Sequence, residues 1–411
     1  MATENNQSQG GGAIAGVRVV DLTRVIAGPL AGQILADLGA DVIKVERPLV
    51  GDDVRRIGPP WLMDDEGNTL SESTYFSAIN RGKRSVTIDF SNREGAELVK
   101  KLIAKADVVL ENFKPGTLQK YGLDYDSLAR DNPRLIYCSI TGFGQTGPYK
   151  NRPGYDNLMQ GMAGVMSVTG KPGSPPTRAG VPIADHAAGL TAAMGVLAAL
   201  NYRHVTGRGQ SVDVALFDCQ VSMMLNVFSA WFNSGIETEK CNDHPNACPH
   251  GVFPTADGHI LIATMNDGQF NRVAQTLGRQ EWCTDLRFKT NGSRVQHAEE
   301  LIALMSELLR NKPSAHWLAE LERANVPAGP INRISDLPDN PQLLAREMVV
   351  SFPYHQPKEI KAAGNPLKLS GSPVRYKLPP PTLGQHTHAV LGVELGLSDQ
   401  DIAALRARSV I

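Results

Sequence analysis

Two kinds of pattern alternate from residue 17 onward, and the alternation limits the chain to few architectures. V-R-V-V-D-L (17–22) is a β-branched run, and P-L-A-G-Q-I-L-A-D-L-G-A (29–40) reads as a helix with proline near its first turn and Gly39 as its stop. The unit recurs as D-V-I-K-V-E (41–46), R-S-V-T-I-D (84–89), the helical stretch R-E-G-A-E-L-V-K-K-L-I-A-K-A (93–106), D-V-V-L-E-N (107–112) and R-L-I-Y-C-S-I (134–140). Strand, helix and strand joined by short connections predict an α/β fold, a parallel sheet of the doubly wound kind covered by helices. Ligands of such sheets meet the loops at the carboxyl ends of the strands. Here those loops are T-R-V-I-A-G-P, E-R-P, E-N-F-K-P-G and T-G-F-G-Q-T-G.

The chain of 411 residues exceeds one ordinary domain. Residues 1–12 are polar and glycine-ending and are expected to be a disordered tail, with a large domain over 13–225. The turn-rich stretch 226–258 reads as a linker or crossing loop. A strand at 259–265 and an amphipathic helix at 298–310 predict a smaller α+β domain over 259–335, and the proline-rich segment 336–411 closes with a short helix at 385–396. Lysine and arginine number 41 against 42 acidic residues, so no global field points to nucleic acid or an anionic membrane. The longest mostly apolar run, near residues 189–200, is about a dozen residues and reads as too short to span a bilayer. Five scattered cysteines (138, 219, 241, 248, 283) fit a reducing cytoplasm better than a disulfide framework.

Four constellations carry chemical suggestions. G-F-G-Q-T-G (142–147) matches a dinucleotide fingerprint, but P-Y-K-N-R-P-G-Y follows it and cannot open the required helix, so a tight glycine turn is favoured. C-N-D-H-P-N-A-C-P-H (241–250) offers Cys241, His244, Cys248 and His250, yet its second half is too tight for usual zinc spacing, and a polar loop is favoured. Arg24, Arg47, Lys114 and Lys120 fall on or near neighbouring sheet loops, where cations hold phosphates. Asp185, in A-G-V-P-I-A-D-H-A-A-G-L (179–190), precedes a strongly helical stretch over 186–202. It reads either as an N-cap or as a carboxylate kept ionised by the helix terminus and available as a nucleophile; composition alone favours the cap.

Taken together the stretches resemble the class III CoA-transferase family of the CaiB/BaiF type. The matching segments are G-V-R-V-V-D-L-T-R-V-I-A-G-P-L-A, L-G-A-D-V-I-K-V-E-R-P, N-R-G-K-R-S-V, E-N-F-K-P-G, Y-C-S-I-T-G-F-G-Q-T-G-P-Y, the Asp185 block, T-G-R-G-Q-S-V-D-V-A-L-F-D (206–218), V-P-A-G-P-I-N (326–332) and L-G-Q-H-T (383–387). The resemblance spans residues 13–411 and implies a Rossmann-like large domain from both chain ends, a small domain, and an interlocked homodimer. It places the catalytic aspartate on Asp185. Coenzyme A enters as a substrate, with no metal or organic cofactor; the partners are acyl-CoA and a carboxylic acid. CoA contacts carry over to Arg24, Val25, Ala27, Arg47, Asn112 and Phe113, and to Lys120, which is arginine in the formyl-CoA branch.

Two departures from that branch matter. Its first-loop glutamine is Ile26 here, and its glycine-rich loop is replaced by A-C-P-H-G-V-F, which points away from formyl-CoA:oxalate chemistry. The blocks C-S-I-T-G-F-G-Q-T-G-P and G-D-D-V-R-R-I-G-P-P (51–60) look more like the branch that uses succinyl-CoA and a dicarboxylate, with Tyr155 and His250 as substrate-facing positions. The alternative on the same fold is an α-methylacyl-CoA racemase, whose chemistry needs two acid/base groups around one carbon. The histidine of that branch is Tyr155 here, and an ordinary tyrosine of pKa near 10 is a poor base at neutral pH.

Overall fold

The computed structural model describes residues 11–240 and 243–411, so residues 1–10 of the expected tail lie outside the described residues. Gly12, assigned to that tail, is packed: a Cβ on Gly39 would meet its Cα at 2.8 Å. The chain separates into two compact units. The first comprises the chain up to Ala163, Gly180–Leu225 and Gln342–Ile411; the second comprises Gly164–Ala179 and Asn226–Pro341.

The first unit is built on six strands: β1 (Arg18–Asp21), β2 (Asp41–Glu46), β3 (Lys83–Thr87), β4 (Val108–Glu111), β5 (Ile136–Thr141) and β6 (Ser211–Ala215). All pair in parallel in the order β3-β2-β1-β4-β5-β6. That order reverses between β1 and β4, the switch point where a doubly wound sheet opens a crevice. Successive residues of the central strands are buried because both faces are covered. Val19, Val42 and Val108 face one core with α1 (Ala27–Asp37), while Val20, Ile43 and Val109 face the other with α2 (Arg93–Ile103). The C-terminal helices Thr387–Leu395 and Asp399–Ala407 complete the second face through Val390, Leu391, Ile402 and Leu405.

Two short helices' worth of chain after β5 lead to the helix that matters most. They contain α3 (Asp156–Met162), and α4 (Ile183–Thr206) follows. α4 has 24 residues, and an 18-residue window of it has a mean hydropathy of 1.5, long and apolar enough by composition to cross a membrane, contrary to the short run expected from the sequence. The difference arises because the helix begins at Ile183, so Ile183–Ala188 extend the run that starts at Gly189. The stripe Ala184, Ala188, Ala192, Val196 and Ala199 is buried in the core shared with α1 and β5, the pattern of a core helix.

The second unit holds a three-stranded antiparallel sheet: β7 (His250–Pro254), β8 (His259–Ala263) and β9 (Ala328–Pro330), in the order β9-β8-β7. Helices Asp267–Thr276, Ala298–Leu309 and Ser314–Arg323 bury Phe270, Met305 and Trp317 against Phe253 and Ile260. The segment 226–258, expected as a linker, therefore supplies a structural strand. Its H-G-V-F-P carries the glycine and proline that mark turns, which hid it.

Small residues set the distance between α1 and α4. A Cβ on Gly189 would stand 2.8 Å from the Ala27 carbonyl oxygen, and one on Gly32 would stand 2.8 Å from Asp21 Oδ2. Because the first obstacle is backbone, Gly189→Ala is expected to cost about 1–3 kcal/mol of stability, read as a lowered Tm, with α4 displaced from α1.

Candidate active site

Asp21 lies under the carboxyl end of β1, fully buried, with Lys83 Nζ at 2.9 Å. Lys44, also fully buried, reaches Asp52 Oδ2 at 2.9 Å and the Thr23 carbonyl at 2.8 Å. Charges this deep persist only when paired. Their pairing fixes the loop that follows β1. Asp52 Oδ1 accepts the Val25 N–H at 3.0 Å, and Val25 is held at φ 72°, a left-handed conformation that a β-branched residue adopts only under constraint. Asn112 clamps the preceding residue from both sides: its Oδ1 accepts the Arg24 N–H at 2.9 Å and its Nδ2 donates to the Arg24 carbonyl at 2.6 Å. Glu111, whose carboxyl burial pushes up to about 7, accepts the Phe113 N–H at 2.8 Å and orders the turn from the other side.

These loops enclose a cleft of about 300 Å³ at the switch point. It is lined by Arg24, Val25, Ile26 and Ala27, by Asn112, Phe113 and Lys114, by the 150–155 segment including Lys150, Arg152 and Tyr155, and by Asp185. The Arg24 guanidinium sits 5.0 Å from the Phe113 ring centre and 3.1 Å from Asp53 Oδ2. A second cleft of about 230 Å³ shares Arg24 and Phe113 as walls and adds Arg47. Lys120 is exposed on the short turn Leu118–Tyr121 and lines neither cleft. Tyr155 is 68% exposed at the rim, and His250 lies on β7 of the second unit, its Nδ1 buried without a hydrogen-bond partner among the described residues.

The sequence placed Asp185 at a helix cap, and the structure corrects this. Helix α4 begins at Ile183, its N-cap is Pro182, and Pro182 has no side-chain acceptor to offer. The cap is supplied from α3. Asp156 Oδ1 accepts the Ala184 N–H at 2.8 Å and approaches the Asp185 N–H at 3.4 Å, while Gln160 Nε2 donates to its Oδ2 at 2.6 Å. The Ile183 and His186 N–H groups go to the Val181 and Pro182 carbonyls, so the start of α4 has its donors engaged. Asp185, only 8% exposed, is therefore not kept strongly ionised by the helix. Burial pushes its carboxyl up to about 7, and the neighbouring Asp156 carboxylate adds to the rise. His186 is exposed, with Nδ1 2.8 Å from the Pro182 oxygen.

Among the described residues no group of three His, Cys, Asp or Glu side chains is arranged to hold a metal ion. Cys241 lies outside the described residues; His244 and His250 stack at 5.0 Å, and burial pushes the Cys248 thiol up to about 11. Gly147 leads into turns rather than a helix, so the 142–147 motif is a glycine loop as read from the sequence. Asp156, Asp52, Lys150 and Arg152 were not singled out in the sequence. A clue to the first existed: a helix opening on Pro-Ile cannot cap itself, so an acceptor must arrive from elsewhere.

A carboxylate at the base of a cleft, at the switch point of a doubly wound sheet, with cations along adjoining loops, defines an enzyme that handles an anionic substrate. The family model described as CoA-transferase family III matches residues 14–387. A succinate–glutarate CoA-transferase of Agrobacterium fabrum is 45% identical over 379 residues, covering 92% of this chain and 94% of that protein. The mouse succinyl-CoA:glutarate CoA-transferase is 38% identical, with 97% of this chain and 90% of that one covered. A crystal structure of a CaiB/BaiF family protein from Brucella suis superposes with a TM-score of 0.83 at 43% identity, covering 94% of this chain and all of that one. The chain belongs to the family III CoA-transferases and is a transferase.

A desolvated carboxylate costs stability wherever it is ionised. Below pH 3.8 the folded and unfolded chains both hold the Asp185 proton; as pH rises toward about 7 only the unfolded chain releases it freely, and the folded state loses ground. Asp185→Asn is therefore expected to melt above wild type at pH 8, by on the order of a few kcal/mol, with the gap closing toward pH 4. Thermal denaturation across pH checks this.

Proposed function

We propose that the chain moves CoA from a dicarboxylic acyl-CoA, such as succinyl-CoA, to a free small dicarboxylate through covalent intermediates on Asp185. The observation that carries the reading is the buried carboxylate itself, on the cleft wall with its own helix donors already engaged by Asp156. The ionised Asp185 attacks the thioester carbonyl and expels CoA thiolate, giving a mixed anhydride. The thiolate then attacks the aspartyl carbonyl, releasing the donor acid and leaving an aspartyl-CoA thioester. The acceptor carboxylate attacks that thioester, the thiolate leaves again and attacks the acceptor's acyl carbon, and Asp185 is regenerated. Overall one thioester is exchanged for another and one free carboxylate for another, and the covalent intermediates divide that exchange into easier steps.

The residues divide the labour. In this reading Arg47 and Arg24 hold phosphates of CoA, Val25, Ala27, Asn112 and Phe113 line its path toward Asp185, and Lys120 acts only from the periphery. Oxyanion stabilisation falls to the start of α1 rather than α4, because α1 opens at Ile26 without a side-chain cap and its first turn lines the cleft. A pKa near 7 leaves enough carboxylate to attack at neutral pH while keeping the acid reactive in a dry site. The relatives named for succinate and glutarate support a dicarboxylate pair. We also propose a cytoplasmic homodimer, interlocked as in the family. The exposed apolar stripe Leu190 and Met194 on α4 and the exposed Trp231 and Phe232 support an interface, and the free thiols of Cys138, Cys219, Cys248 and Cys283 fit a reducing compartment. Tyr155, on the cleft rim, and His250 are proposed as substrate-facing positions.

Assaying succinyl-CoA against a panel of small dicarboxylates tests the reading. Wild type is expected to form the acceptor's CoA thioester, with Asp185→Ala slower by on the order of a thousandfold or more. Exchange of the α-proton in deuterated water without any acceptor acid would instead favour the racemase.

A further inference from the structure

The glycine motif at 142–147 has no part in the reaction as described, and its surroundings give it one. Residues 142–154 leave the sheet and return to the same point. A Cβ on Gly142 would lie 2.7 Å from Gly154 Cα, and one on Gly154 would lie 2.5 Å from Gly142 Cα, so the base of the loop closes backbone to backbone. The loop packs on its own Tyr149 and on the helix after β6: Phe143 meets Tyr149 at 5.6 Å and Phe217 at 5.8 Å between ring centres. Compact, self-packed loops with touching ends are rigid platforms rather than floppy connections.

What the platform carries is charge. The Arg152 guanidinium stacks 3.9 Å from the Tyr149 ring centre, and its backbone N–H donates to the Tyr149 carbonyl at 2.8 Å. Lys150 sits two residues before it, and both side chains line the cleft that contains Asp185 but not the one that contains Arg47. Arg24, by contrast, is already paired with Asp53. No ion pair among the described residues engages Lys150 or Arg152. A guanidinium stacked by its face keeps its edge donors free for a planar, two-pronged anion.

We propose that Lys150 and Arg152, presented by this glycine-closed loop, bind the second carboxylate of a diacid whose first carboxylate reacts at Asp185, so that the loop selects dicarboxylates over monocarboxylates. This rests on the dicarboxylate CoA-transfer reading above. Both cations are exposed on the cleft's lining, where they can pair with a free carboxylate at the far end of an entering acyl chain. The loop ends at Tyr155 and Asp156, the residue that caps α4, so the cations and the nucleophile are referred to one rigid segment.

The test compares glutarate with pentanoate, which differs from it in lacking the second carboxylate, as acceptors from succinyl-CoA. The kcat/KM ratio of the two acids is measured for wild type, Arg152→Ala, Arg152→Lys and Lys150→Ala. The ratio is expected to fall about tenfold to a hundredfold in Arg152→Ala, chiefly through KM for glutarate. Arg152→Lys is expected to recover part of it, and Lys150→Ala to show a smaller fall in the same direction, so the result does not hang on one variant's folding. Equal losses for both acids, or an unchanged ratio in all three variants, overturn the proposal while leaving dicarboxylate transfer intact. A wild type that does not favour glutarate over pentanoate overturns the dicarboxylate reading and this proposal together.

Discussion

The site depends on how closely two helices pass. α1 and α4 meet through Ala27, Ala31, Ala188, Gly189 and Ala192, with Gly189 so near the Ala27 carbonyl that no side chain fits between them. That approach sets the first turn of α4 beside the first turn of α1, and hence Asp185 beside Ile26 and Ala27. The same economy of volume lets α1 lie over the buried Asp21–Lys83 pair through Gly32. A bulkier seam would move the carboxylate from the loops that face it, whatever the chemistry of the loops themselves.

Two carboxylates share the resulting space under opposite conditions. Asp156 accepts from the backbone of α4 and from Gln160, which satisfies its charge. Asp185, in the first turn of the helix, has burial and a like charge against its ionisation and is raised to about 7. The fold thus spends stability at Asp185 and recovers structure at Asp156. The difference in partners assigns Asp156 to structure, while Asp185 is left without a partner of opposite charge.

Much of the fold was legible in the sequence. The alternation of runs predicted β1 to β5 and α1, α2 and α4 to within a few residues, because strands covered on both faces read as continuous apolar stretches. The last strand, β6, escaped because S-V-D-V-A is short and carries Asp213 in mid-strand, and β7 escaped behind its own glycine and proline. Of the site, the loops after β1 and β4 were foreseen from the rule of carboxyl ends, whereas the setting of Asp185 favoured a cap and only the family resemblance pointed to it as the nucleophile. Its partners were not. Asp156 reaches α4 across 28 residues and Asp52 reaches Val25 across 27, and such pairings leave no mark in a local pattern. Lys120 shows the converse: a cation after the right strand that the turn carries out to solvent.

The central claim is that Asp185 becomes covalently acylated. Incubating the protein with succinyl-CoA and hydroxylamine, then digesting it and locating the adduct by mass spectrometry, measures that event directly. The account predicts a hydroxamate on the peptide containing Asp185, absent from Asp185→Ala and dependent on the acyl-CoA. An adduct on Asp156 or another carboxylate, or none while CoA transfer proceeds, would contradict it.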